Sequence, residues 1–386
     1  MAVQALDMAQ GRGGDQAAEM TPDGFTFYGG VSHGVEKRSK VRSRIVADQL
    51  VRLVKEADHV VIMGHRMSDL DAIGAAEGVL RICKICDVPA VIAVRRDATL
   101  AGSLIDALCR AGQADDFIDP KAALPIISKK TLCVVVDTYQ LGLVESKEIL
   151  ERCGKVAVID HHRKGVGFIE HADLVCHEPY SSSASELVTE LLQYVGDRDD
   201  KPSRVEAEGL LSGIMLDTRD FTLHTGVRTF EAAAALRRYG AETERVRQLF
   251  DVTMVEYNAK ADLVEKAQMS KNCAISIGGE VAPEARVAIA QAANDLLRIQ
   301  GVDASFVAVQ VGNGVNVSAR SMGAVNVQVI MESLGGGGHQ TMAAAQLKHI
   351  TPQAARSRIQ DAIDQYYLSQ KKDYAGSHDR QKGNKT

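Results

Sequence analysis

Four short apolar runs recur in the first half of the 386-residue chain, at Val60–Met63, Ala90–Val94, Leu132–Val136 and Val156–Ile159, with helical segments such as Ala72–Ile85 between them. Runs of this length without polar alternation suit strands buried on both faces. Strand alternating with helix predicts a parallel sheet covered by helices, so the fold class is α/β. Residues 183 to 268 then read as nearly continuous helix, broken near Gly196, Thr218–Gly226 and Gly240. A smaller α/β pattern follows: strands at Ala274–Ile277, Phe306–Val311 and Val315–Ala319, and a closing helix at Pro352–Leu368.

The remaining stretches set the expected boundaries. Residues 1–36 are rich in glycine and too poor in apolar residues to form a core alone, and they read as the tail of another domain. Residues 37–57 turn basic and helical, with Ile45, Val46, Leu50, Leu53 and Val54 on one stripe, as a connecting helix. The main domain is expected over 58–240, a helical linker over 241–268, the smaller α/β domain over 269–370 and a disordered polar tail over 371–386.

Composition excludes some roles. Lys+Arg 45 against Asp+Glu 50 gives a net charge of -5, so a long nucleic acid is not an expected partner. No run approaches the roughly 18 apolar residues of a membrane span, and no leader pattern opens the chain, so this stretch is expected to be cytoplasmic without direct membrane contact. Seven cysteines, an odd number lying mostly in apolar stretches, read as reduced thiols.

The ends of the strand runs carry the chemistry. Val60–Met63 leads into Gly64-His65-Arg66-Met67-Ser68-Asp69-Leu70-Asp71, an H-x3-D-x-D cluster at the edge where open α/β sheets bind ligands. One imidazole and two carboxylates suit a divalent cation such as Mn²⁺, although Ser68, Asp69 or Asp71 could instead cap the following helix. Leu132–Val136 ends in Asp137, and Val156–Ile159 ends in Asp160-His161-His162, so three strands deliver acidic or imidazole groups to one edge. Asp217 closes an apolar helical run, where the helix dipole disfavours a carboxylate and a positive partner is expected. In the second domain, Gly335-Gly336-Gly337-Gly338-His339 reads either as a flexible turn or as a place where backbone N–H groups meet an anion, and Arg320 offers a bidentate phosphate contact. Cys83-Lys84-Ile85-Cys86 has metal-like spacing but no second pair, so it reads as core thiols.

Taken in order, His65, Asp69, Asp71, Asp137, Asp160-His161-His162, Asp217 and Gly335–His339 resemble the DHH phosphoesterase superfamily with its DHH-associated domain. Met63-Gly64-His65 and Asn326-Val327-Gln328-Val329-Ile330-Met331-Glu332 look like the GdpP-type cyclic di-AMP phosphodiesterases within it. The resemblance covers nearly the whole chain, and Gly11-Arg12-Gly13-Gly14-Asp15 looks like the end of that family's degenerate GGDEF domain. It implies a catalytic fragment of a membrane-anchored parent, two Mn²⁺ per chain and a homodimer. It also implies hydrolysis of cyclic di-AMP to linear 5′-pApA by metal-activated hydroxide. By the same resemblance one ion takes His65, Asp69 and Asp137, and the other takes Asp71, Asp137, His161 and Asp217. Asp160 orients the histidines, His162 faces the scissile phosphate, and Arg320, Gly335, Gly336, Gly337, Gly338 and His339 hold the nucleotide.

Three rivals remain from the sequence: an oligoribonuclease acting on short linear dinucleotides, a manganese pyrophosphatase, and a non-catalytic cyclic-dinucleotide sensor. A long-strand exonuclease fits poorly with 4% aromatic residues and no Trp, since single-strand binders need stacking platforms and a basic groove.

Overall fold

The computed structural model describes residues 16–21, 24–29, 40–162, 167–197, 200–280, 286–338 and 340–382, and it divides into two compact units, Met1–Asp251 and Val252–Thr386. The Gly11–Asp15 motif and His339 lie outside the described residues. No helix among the described residues is long and apolar enough to cross a membrane.

In the first unit an antiparallel hairpin, β1 (Gln16–Thr21) with β2 (Gly24–Gly29), precedes the helix α1 (Lys40–Glu56). The main sheet then alternates strand and helix. Its strands are β3 (His59–Met63), β4 (Ala90–Ala93), β5 (Phe117–Ile118), β6 (Thr131–Val136), β7 (Lys155–Asp160) and β8 (Leu174–His177). All pairings are parallel, in the order β5-β4-β3-β6-β7-β8. The helices between strands are α2 (Leu70–Ile85), α3 (Gly102–Leu108), α4 (Pro120–Ala123) and α5 (Lys147–Arg152).

Both faces of this sheet are buried. Val60, Ile62, Val134 and Val136 belong to one core cluster, while Val61, Met63, Cys133 and Val135 belong to another. That explains why these strands read as unbroken apolar runs. The chain leaves β3 toward β4 and β5 but leaves β6 toward β7 and β8, so the strand order reverses between β3 and β6. A crevice opens at such a switch point, outside the carboxyl ends of the strands.

The helical stretch resolves into α6 (Ala184–Leu192), α7 (Arg204–Thr218), α8 (Val227–Arg238) and α9 (Thr243–Gln248). The helix α7 crosses α2 closely through glycines: a Cβ on Gly74 would stand 2.5 Å from the Gly209 carbonyl oxygen.

The second unit begins with α10 (Met254–Glu265) and contains the sheet β13-β14-β12-β11-β10-β9. Its strands are β9 (Gln268–Ser270), β10 (Cys273–Glu280), β11 (Ala304–Val311), β12 (Gly314–Ser321), β13 (Gly337–Gly338) and β14 (Met342–Lys348). The helices α11 (Arg286–Leu296), α12 (Val327–Ser333) and α13 (Pro352–Lys382) complete it. Asn326 caps α12, its Oδ1 accepting from the Gln328 and Val329 amides.

Two sequence expectations change here. The closing helix continues past Leu368 to Lys382, through residues expected to lack structure. Extending an existing helix adds one hydrogen bond per residue and needs no apolar stripe, so periodicity misjudges the end. The glycine run is not a free turn. Gly337 and Gly338 pair with Ala344 and Ala343, and a Cβ on Gly336 would meet the Ala344 carbonyl oxygen at 2.2 Å.

Candidate metal centre

His65 sits just past β3, in a short loop that is strapped down before α2 begins. The His65 and Val144 backbones form an antiparallel bridge, Arg66 N–H donates to the Leu143 carbonyl at 2.9 Å, and Glu145 N–H donates to the Gly64 carbonyl at 2.9 Å. An ion pair between a buried carboxylate and a half-exposed guanidinium reinforces the strap, with Arg95 Nε 2.5 Å from Glu145 Oε1. Burial pushes the Glu145 carboxyl above the usual range against the pull of Arg95.

Asp69 is the N-cap of α2, its Oδ1 accepting from the Asp71 and Ala72 amides at 3.0 and 3.2 Å. The capping alternative read from the sequence therefore holds for Asp69, and the same Oδ1 lies 3.9 Å from His65 Nε2. Asp71 is fully buried in the first turn of α2. Its two oxygens accept from the Ala184 and Ser185 amides at 2.7 and 2.8 Å, so the positive end of α6 spreads its charge. Burial first, and then the carboxylates of Asp137 and Asp217, push the Asp71 carboxyl well above the usual range.

Asp137 stands at the centre. It follows β6 in the left-handed region at φ 57°, held by an N–H bond to the Ile159 carbonyl at 2.9 Å. Its Oδ2 is 3.4 Å from His65 Nε2, and its Oδ1 is 3.3 Å from His161 Nε2 and 3.6 Å from His162 Nδ1. Burial opposes ionisation of Asp137, but the surrounding imidazoles outweigh it and hold the carboxyl below the usual range. Asp217, in the last turn of α7, lies 3.1 Å from His161 Nε2, which supplies the positive partner expected there. Burial also opposes the charged form of His65, yet Asp137 and Asp69 raise its pKa to about 10. His161 is raised in the same way, against burial, by Asp137 and Asp217.

Asp160 is buried at the end of β7, with its Oδ1 2.8 Å from His162 Nδ1 and accepting His162 N–H at 3.3 Å. The His162 side chain is 41% exposed against 14% for His161 and 4% for Asp137, so it is the histidine that faces outward.

The donor atoms of His65, Asp69 and Asp137 lie within 4.8 Å of one another, as do those of Asp71, Asp137, His161 and Asp217, and those of Asp137, His161 and His162. The first two groups share Asp137. Asp137 Oδ1 and His161 Nε2 are buried without a hydrogen-bond partner among the described residues. Four carboxylates in one cluster, two of them buried, repel one another unless positive charge joins them. Carboxylates mixed with imidazoles suit a hard or borderline divalent cation, so the residues fit such an ion.

Several contributors carry no strong sequence signal. The α6 amides that bind Asp71 are foreshadowed only by Ser183 and Glu186, which have the S-x-x-E spacing of a helix start. Glu145, Arg95 and His177, whose Nε2 lies 2.5 Å from the His162 carbonyl oxygen, stand outside the motifs that carry the cluster. Arg320, at the end of β12, donates to Ser318 Oγ and the Ala319 carbonyl and belongs, like the glycine run, to the second unit. All seven cysteines are free, five of them buried.

A parallel α/β sheet with such a cluster at its switch point, joined to a second α/β unit, defines a class that comparison with known families identifies. Residues 59–214 match the DHH family N-terminal domain and residues 282–368 match the DHHA1 domain. The chain belongs to the DHH family in its DHH–DHHA1 form. Within it, the likeness to GdpP-type proteins holds. The chain is 46% identical over 375 residues to the cyclic-di-AMP phosphodiesterase GdpP of Geobacillus thermodenitrificans, covering 95% of this chain and 56% of that protein. It is 40% identical over 373 residues to the cyclic-di-AMP phosphodiesterase PdeA of Listeria monocytogenes, covering 95% of this chain and 57% of that protein. The chain thus spans about half the length of the curated relatives it matches. A crystal structure of an exopolyphosphatase-related protein from Bacteroides fragilis shares the fold, with a TM-score of 0.72 and 20% identity over 84% of this chain and 96% of that one.

Proposed function

We propose that this chain is a two-metal phosphodiesterase that hydrolyses cyclic di-AMP to linear 5′-pApA. The observation that carries the reading is the pair of donor groups meeting at Asp137, with Asp137 Oδ1 and His161 Nε2 buried, close to opposite charge, and without a hydrogen bond among the described residues. The names of the relatives supply the substrate. One Mn²⁺ would be held by His65, Asp69 and Asp137, and the second by Asp71, Asp137, His161 and Asp217. Such ions supply Lewis acidity when bound, lowering the pKa of a water and neutralising charge on phosphoryl oxygens.

The chain's own residues do the rest. Asp160 Oδ1, 2.8 Å from His162 Nδ1, would fix the ring's tautomer and turn Nε2 toward the phosphate. Asp160 and Asp137 raise the His162 pKa against the opposing effects of burial and His161, so the ring can donate a proton to an oxygen that gains charge. Water adds to one phosphodiester: the bond from phosphorus to the ribose 3′ oxygen breaks, that oxygen takes a proton, and the 5′ phosphate stays on the linear product. In the second unit, Arg320, Gly335–Gly338 and His339 hold the nucleotide. The parent protein is membrane-anchored with this part on the cytoplasmic side, and the working form is a homodimer.

Chromatography of the products tests this. Purified chain with Mn²⁺ should convert cyclic di-AMP to 5′-pApA faster than it degrades 5′-pApA, cyclic di-GMP or pyrophosphate. Preference for the linear dinucleotide would move the reading to an oligoribonuclease, and binding without turnover would make the chain a sensor.

A further inference from the structure

His162 is the most open histidine of the cluster, and its ring is held at one nitrogen by Asp160. A ring fixed at one atom still pivots with its backbone, so the carbonyl side of His162 also matters. His177 Nε2 lies 2.5 Å from the His162 carbonyl oxygen, within hydrogen-bond reach. The imidazole donates in this contact, because a carbonyl oxygen only accepts.

His177 is itself well placed. It ends β8, in register with Asp160 on β7, and the next amide, Glu178 N–H, donates to the Asp160 carbonyl at 3.0 Å. The ring of the buried Tyr139 meets His177 edge to face, with centroids 5.6 Å apart and planes at 81°. The segments after β7 and β6 thus meet one imidazole at the end of β8. His177 belongs to none of the three groups that could hold a metal ion.

We infer that His177 is a positioning residue for His162, gripping its backbone carbonyl while Asp160 grips its ring, so that Nε2 points at the scissile phosphate. This rests on the proposed role of His162. Misplacing a reacting group by about 1 Å costs on the order of 10²-fold in rate.

The test pairs His177→Ala with His177→Gln, whose side-chain amide carries an N–H donor at similar reach. With Mn²⁺ and cyclic di-AMP, His177→Ala should lower kcat by about 10²-fold with KM unchanged, and His177→Gln should restore most of it. Mn²⁺ titrations should match wild type for both variants, since His177 binds no ion. In the metal-free protein labelled with ¹⁵N-histidine, the His162 Nδ1–H resonance protected by Asp160 should vanish in His177→Ala and return in His177→Gln. Thermal melts by circular dichroism identify a variant that has simply unfolded. A His177→Ala enzyme with wild-type kcat, or a loss that His177→Gln does not reverse, overturns the inference. If wild type itself leaves cyclic di-AMP intact, the functional reading fails, and the resonance then decides the positioning role: its persistence in His177→Ala overturns it.

Discussion

Asp137 is asked to do two things that conflict with ordinary preference: to sit at φ 57° and to stay ionised while buried. Strained, buried residues of this kind persist where the surroundings over-determine them, and they concentrate at functional sites. Asn tolerates the same backbone conformation, so Asp137→Asn should fold normally while losing far more than the 10–100-fold in activity typical of residues that only support a metal ligand. Retained turnover with Mn²⁺ would remove Asp137 from the centre. Glu77 shows the opposite balance, inside α2 and away from the cluster. Both of its oxygens are buried without a partner among the described residues, and burial, followed by Glu206, raises its pKa from 4.5 to about 8. The folded state therefore keeps a proton that the unfolded chain releases above pH 4.5. The stability from the neutral acid is fully present below that pH and is lost as pH rises toward about 8. Wild type should melt lower at pH 8 than at pH 5.5, and Glu77→Gln should remove most of this difference, on the order of 3 kcal/mol. An unchanged pH profile in Glu77→Gln would show that Glu77 is ionised in the folded protein. Site residues at strand ends were legible because each interrupts an apolar run with a group that burial alone would reject. Glu145, Arg95 and His177 were not, because their roles depend on which loops meet, which no local pattern encodes.

At the scale of elements, the crossing of α2 with α7 sets the distance between Asp71 and Asp217. The two helices approach through Gly74 against Gly209 and through Gly213 against the start of α2. A Cβ on Gly213 would stand 2.3 Å from Ser185 Oγ and 2.6 Å from Asp71 Oδ1. Overpacking of this kind costs about 1–3 kcal/mol. Gly213→Ala should lower the melting temperature and weaken Mn²⁺ binding together, whereas Gly102→Ala, with open space around it, should do neither. Equal Mn²⁺ affinity in Gly213→Ala and wild type would separate the crossing from the centre. The four central strands were legible as apolar runs. β5 has only two residues, and β8 is a sheet edge with Val175 51% exposed, so neither offers such a run. β13 was hidden by glycines that read as a turn, although Gly336 permits close approach to β14.

For the whole molecule, the proposed metal ligands all lie in the first unit, while the second has cores of its own built around Phe306 and around Val307. A ligand that binds only the folded state stabilises it by mass action, by about 2.7 kcal/mol at a hundred times its Kd. Calorimetry with and without Mn²⁺ should therefore show one transition moving upward and another that does not move; two transitions shifting equally would place Mn²⁺ binding in both units. Two α/β patterns separated by a helical stretch were legible in the sequence, but the break at Asp251–Val252, between α9 and α10, was not, because it falls inside that helical stretch. The proposed centre holds two ions through one shared carboxylate, Asp137. Counting bound Mn²⁺ by titration calorimetry and metal analysis tests it directly: wild type should hold two per chain and Asp137→Asn should lose both. One ion in wild type, or two retained in Asp137→Asn, would contradict it.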